Sequence, residues 1–241
     1  MAETPATEAG AAGEKRPARF KRFEGVFRLL ILALIVLGLG RTPFLGNFLS
    51  WQTTFFHEIS HGLAALASGG SLVKIELHFS GSGVCYTRGG LGWLISLAGY
   101  AGAAFWGLLI YLSALTLPRG YSHWPAVFLI ALLAVSAVFY AADFQTRVII
   151  LALAALYGAA VKFRGQVSNL FLKLAGLYVL LDALKAPLAL WRHESFNDAA
   201  SLTAQTGLPA FIWIFFWLAA AAAGLVFIWK VETGTKAEPP V

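Results

Sequence analysis

The sequence predicts an all-α polytopic membrane protein: a bundle of six or seven transmembrane helices with a small β-hairpin after the second helix. Three observations predict it. The chain is 59% hydrophobic and 12% charged, whereas soluble domains run about 45–50% apolar and about 25% charged. Its mean hydropathy is +0.72. Apolar runs of roughly 15–25 residues recur along most of its length, broken once by a stretch that alternates with period two.

The elements follow in order. Residues 1–22 form a basic leader rich in Ala, Glu and Pro, which is expected to be disordered. No cleavable signal peptide is expected, because the first apolar run starts too far from Met1. A transmembrane domain is expected over residues 23–231, followed by a short polar tail over 232–241. The first run, residues 26–39, is short for a span of about 20 residues, so Phe23 and a snorkelling Arg28 are expected to extend it. Gly40, Arg41 and Pro43 end it. A second run, residues 47–67, is stopped by Ser68-Gly69-Gly70. Then Val73, Ile75, Leu77 and Phe79 alternate with Lys74, Glu76 and His78; "SGSG" and a second short run, residues 84–87, follow. This reads as a hairpin over about residues 73–88, lying at the interface or packed on protein because open edges cannot face lipid. Further runs cover residues 91–117, 124–142, 147–163, 170–191 and 209–229.

The net charge is +6, and Lys15, Arg16, Arg19, Lys21, Arg22 and Arg28 cluster before the first run. No aromatic-interleaved basic face follows, so nucleic acid is excluded as the partner. The cluster instead predicts a cytoplasmic N-terminus touching the anionic headgroups of the lipid bilayer. Cys85 is the single cysteine, so neither an internal disulfide nor a thiolate cluster is available.

Within the second run stands His57-Glu58-Ile59-Ser60-His61, the pattern H-E-x-x-H. Positions i and i+4 share one helix face, so two imidazoles can bind one Zn2+ through a ring nitrogen each at about 2.0–2.1 Å. A glutamate beside the metal can take a proton from bound water, whose pKa zinc lowers to about 7, and pass it to a leaving amine. A charge at the centre of a span costs about 2.5–3.5 kcal/mol on insertion scales, so three ionisable groups in such a run call for a function or a partner. The bland reading is a helix end at the interface with solvated histidines.

A catalytic zinc usually has three protein ligands. Asp182 is the acid in the middle of an apolar run and is favoured as third ligand on depth, against an ordinary ion pair with Lys185. Asp198 is the alternative, with an N-cap as its competing role. His78, His123, His193 and Glu194 rank below both as loop or interface residues. Pro187 breaks or kinks the helix after Asp182. Gly99, Gly102 and Gly107 either leave a water channel or form packing surfaces.

These residues resemble the site-2 protease class of intramembrane zinc metalloproteases, more narrowly the M50B-like peptidase group. The likeness rests on "FFHEISHGLAALASGG", the hairpin with "GSGVCYTRGG", "SLAGYAGAAFWG" and "LYVLLDAL…FNDAASLTAQTGLP", from about Asn47 to the last run. It implies a zinc held by His57, His61 and an aspartate on a later span, with Glu58 as general acid/base. The chain carries "LDA" at Leu181–Ala183 where the class has "LDG", and the aspartate of "NDA", Asp198, is also a family-like feature. The implied substrate is a transmembrane segment of another membrane protein. Such a helix must unwind before attack, because its peptide carbonyls are tied up in its own hydrogen bonds. The hairpin, with Val73, Ile75 and Leu77 as candidate substrate-binding residues, serves either as a strand edge for that segment or as a cover over the site. The competing class is a non-catalytic metal-binding assembly or chaperone-like factor of the same fold, which would not need Glu58. A transporter would show further intramembrane ligands along a path and paired broken helices, and neither is visible.

Overall fold

The computed structural model describes residues 18–163, 165–192 and 197–234. The leader over 1–17, His193, Glu194 and the tail over 235–241 lie outside the described residues. The described residues form eight α-helices and one antiparallel pair of strands.

Helix α1 (Ala18–Leu39) begins inside the stretch read as leader. The chain turns through Gly40–Thr42 and re-enters helix as α2 (Pro43–Ala67), with Pro43 in the first turn, where its missing N–H costs no helical bond. The two helices meet at 107°. Ser68 ends α2, followed by Gly69 in the left-handed region at φ 84°.

Strands β1 (Ser71–Leu77) and β2 (Gly83–Arg88) form the expected hairpin, but a bulge between Leu72 and Lys74 shifts its faces. Leu72, Ile75 and Leu77 are buried, whereas Val73 and Phe79 are exposed. The outer edge of β1 is already paired. Ile75 N–H donates to Tyr140 O at 2.7 Å, Ala142 N–H donates to Ile75 O at 3.2 Å, and Leu77 N–H donates to Thr146 Oγ1 at 2.9 Å. Val73, Ile75 and Leu77, the candidates for holding substrate, thus lie on a strand whose outer edge is covered at Ile75 and Leu77. Ile75 and Leu77 are core side chains on a strand with a covered edge, and Val73 sits at the bulge.

Helix α3 (Gly92–Thr116) leads through a short 3-10 turn to α4 (Trp124–Phe139), then α5 (Phe144–Phe163) and α6 (Gly165–Lys185). The tight polar turn before α5 is a cap: Asp143 Oδ1 accepts from Thr146 N–H at 2.8 Å. At Pro187 the α6 helix gives way to 3-10 turns over Ala186–Arg192, as a residue without an N–H dictates. Helix α7 (Asp198–Thr206) is short, and α8 (Ala210–Gly234) closes the bundle.

Helices α3 and α6 cross where Gly107 and Gly176 meet. A Cβ on Gly107 would lie 2.9 Å from Gly176 O, and one on Gly176 would lie 2.7 Å from Gly107 O. Gly107 is thus a packing surface rather than a channel wall. Two buried polar links reinforce the bundle. Tyr157 Oη donates to Gln52 Oε1 at 2.7 Å, and Gln52 Nε2 donates to Ala175 O at 3.1 Å, joining α5, α2 and α6. Glu232 accepts from Lys173 Nζ at 2.7 Å and from Tyr111 Oη at 2.9 Å, joining α8, α6 and α3.

Four helices are long and apolar enough to cross a bilayer, five if the bent pair α1–α2 counts as one span. Among the described residues, the expected six or seven are thus not confirmed. Two runs read as separate spans make one broken pair, and α4, at 16 residues, reaches about 24 Å against about 30 Å of hydrocarbon. The apolar helices mark an integral membrane protein.

Candidate metal centre

The helical face that carries His57 also carries His61, because four residues make about one turn. Their Nε2 atoms lie 3.0 Å apart. The third member comes from α7: Asp198 Oδ2 lies 3.2 Å from His57 Nε2 and 3.5 Å from His61 Nε2. Together the three form a group that can hold a metal ion. Ligand atoms at about 2.0–2.1 Å from a tetrahedral zinc stand roughly 3.3 Å from one another, and the three observed separations bracket that value.

The donor chemistry fits as well. His61 Nδ1 lies 2.7 Å from Ile95 O. A carbonyl can only accept, so Nδ1 carries the proton and the neutral ring keeps its lone pair on Nε2, the atom facing Asp198. Helix α3 supplies this carbonyl and also the space. Gly99 faces both rings, and a Cβ there would lie 2.5 Å from His61 Cε1 and 2.6 Å from His57 Cε1.

Asp198 reaches the histidines because Asn197, not Asp198, caps α7. The Asn197 side chain accepts from Ala200 N–H at 2.9 Å, which leaves the Asp198 carboxylate free to turn inward. Asp182, favoured on depth, is not in the group. Its Oδ1 lies 3.0 Å from Lys185 Nζ, the pairing that competed with the ligand role. The structure thus reverses the ranking of the two acids. Depth along a helix says nothing about which face it turns, and Lys185, three residues on, neutralises Asp182 locally.

Glu58 is buried beside the group, with the Cys85 backbone N–H directed at its carboxylate. That direction follows from strand parity. Ile75 turns its polar groups toward Tyr140 and Ala142, so its partner Cys85 turns its own away from β1 and toward α2. Burial, with a smaller contribution from the Glu58 charge, pushes the Cys85 thiol up to about 12, so it stays protonated and is no thiolate ligand.

Two cavities flank the centre. One, of about 300 Å³, is lined by Thr54, His57, Glu58, Gly83, Tyr100 and Asp182. The other, of about 370 Å³, is lined by Glu58, His61, Cys85, Ser96, Tyr100 and Asp198. Asp182 therefore borders the centre without joining it. His78 sits at the hairpin turn, its N–H bonded to Ser82 O, and His123 directly precedes α4, both apart from the centre.

The sequence reading named Gly99 only as a channel or packing residue, and it missed the Ile95 carbonyl and Tyr100. The one available signal was a Gly-Tyr pair inside an apolar helix, which reads equally as packing.

No curated protein and no solved structure matches the chain. A family model does match, described as peptidase M50B-like, and it covers residues 29–229, from α1 to α8, with all three members of the centre and Glu58 inside it. The chain belongs to the M50B-like peptidase family.

Proposed function

We propose that the protein is a zinc metalloendopeptidase that hydrolyses peptide bonds in or near the transmembrane segments of other membrane proteins. The observation that carries this reading is the triangle of His57, His61 and Asp198 ligand atoms with the buried Glu58 carboxylate beside it. In this reading the three residues hold Zn2+, which supplies Lewis acidity toward water and the scissile carbonyl. Glu58 takes the proton from the attacking water and returns it to the leaving nitrogen. A structural zinc site would need no such acid, which favours a peptidase over an assembly factor. Asp182, held by Lys185, shapes the neighbouring cavity without binding metal.

The substrate must present an unwound stretch. Strand β2 supports the hairpin as the place of capture, because Gly83, Val84 and Cys85 border the same cavity as Glu58. The role expected of β1 passes to β2. The basic leader supports a cytoplasmic N-terminus, with its cations against the lipid bilayer.

The test is Glu58→Gln, with zinc content and cleavage of a co-expressed membrane-protein substrate measured together. Zinc should stay at the wild-type level while cleavage is lost. Cleavage at the wild-type rate would refute the assigned base.

A further inference from the structure

Tyr100 has no part in the chemistry above, yet it faces it. Its ring meets His57 edge-on, with 4.5 Å between centroids, and packs on Trp217 at 4.8 Å. Trp217 is itself buried, and its indole N–H donates to Leu97 O at 3.0 Å. The Tyr100 ring is therefore wedged between a metal-site imidazole and a fixed indole.

The residue lines both cavities beside Glu58. Asp182 borders one of those cavities with it and Asp198 the other, so three carboxylates share its surroundings. Among the described residues, that hydroxyl makes no hydrogen bond. Two neighbouring hydroxyls are committed elsewhere: Thr53 Oγ1 donates to Leu49 O at 3.0 Å, and Thr54 Oγ1 donates to Gly81 O at 2.6 Å. The Cys85 N–H is turned to Glu58. The centre is thus rich in acceptors, and among the donors without an acceptor there, Tyr100 is the one that lines both cavities and packs on His57. Enclosed tyrosines ordinarily direct that polar tip at a partner.

We propose that Tyr100 is a catalytic residue whose hydroxyl donates a hydrogen bond to the scissile carbonyl oxygen as that oxygen gains negative charge. The proposal rests on the peptidase reading above. In the step, the water oxygen bonds to the carbonyl carbon, its proton goes to Glu58, and the C=O π pair moves onto oxygen. The pair then re-forms C=O, the C–N bond breaks, and Glu58 gives the proton to nitrogen. Tyr100 keeps its own proton throughout. A donor aimed at the developing oxyanion strengthens its bond in the transition state, so it lowers the barrier rather than KM.

The test is Tyr100→Phe, which keeps the ring against His57 and Trp217. Full-length protein in nanodiscs would be assayed with a quenched fluorescent transmembrane peptide, with a phosphinate peptide mimicking the tetrahedral carbon, and by zinc titration against a chromophoric chelator. We expect kcat to fall about 10²-fold with KM little changed, as for loss of one oxyanion donor. Phosphinate affinity should fall by a similar factor, and zinc affinity should stay within about twofold of wild type. Wild-type kcat and phosphinate affinity in the variant overturn the proposal. So does a loss of zinc affinity that accounts for the lost activity, since the phenol would then only position the ligands. Wild-type protein that cleaves no transmembrane peptide overturns the peptidase reading and this proposal together, whereas cleavage by wild type and variant at one rate sinks Tyr100 alone.

Discussion

Replacing Gly99 with Ala tests how tightly α3 is fitted to the metal centre. The added Cβ would stand 2.5 Å from His61 Cε1 and 2.6 Å from His57 Cε1, against 3.4–4 Å for ordinary contact. Each ring must withdraw by about 0.8–0.9 Å, several times the roughly 0.2 Å that metal–ligand distances tolerate. The rings cannot simply swing aside. His61 is tied to Ile95 O on the same helix, and His57 is backed by Tyr100. Nor can α3 back away freely, because about two turns further along it is locked to α6 at Gly107 and Gly176. Overpacking of this kind costs about 1–3 kcal/mol. Falling on the site, that weakens zinc binding roughly 5- to 150-fold, at about 1.4 kcal/mol per factor of ten. The assay is zinc competition against a chelator, with Gly158→Ala on α5 as control, where a Cβ meets nothing within 4 Å. Equal zinc affinity for Gly99→Ala and the control would refute the reasoning.

Other outcomes follow from particular contacts. Tyr157→Phe leaves the buried Gln52 Oε1 without its donor and should lower stability by about 1–3 kcal/mol, read by thermal melting in detergent; an unchanged melt would show that a water replaces the phenol. Asp143→Ala removes the cap of α5 and should cost about 0.5–2 kcal/mol locally, speeding hydrogen exchange at the Thr146 and Leu77 amides; protection equal to wild type would show the cap is idle. The Thr146 N–H beside Asp143 holds its carboxyl below the usual range, so this contribution is present above an unfolded pKa of about 3.9 and is lost as pH falls through the lower folded value. Exchange at the Thr146 amide should therefore accelerate in that acid window, and a flat pH profile would contradict the cap's charge dependence.

The parts of this architecture that repeat with a fixed period were legible in the sequence. Two imidazoles at i and i+4 must share a face, and a period-two run must be a strand. The hairpin, the helix stop at Ser68 and Gly69, and the break at Pro187 all follow from local chemistry. What local chemistry does not carry was misread. Asp182 and Asp198 differ in neighbours that are remote in sequence, and the choice turned on Asn197 taking the cap one residue earlier than expected. The bulge at Val73 moved Leu72 onto the core face, a register change that alternation cannot foresee. The span count was not legible for a related reason: apolar length does not tell a bent pair from two crossings.

The most direct test of the central claim is zinc per chain, measured by metal analysis of purified wild-type, Asp198→Asn and Asp182→Asn proteins. We predict one zinc per chain in the wild type, its loss in Asp198→Asn and its retention in Asp182→Asn. Zinc kept by Asp198→Asn, or lost from Asp182→Asn alone, would contradict the account.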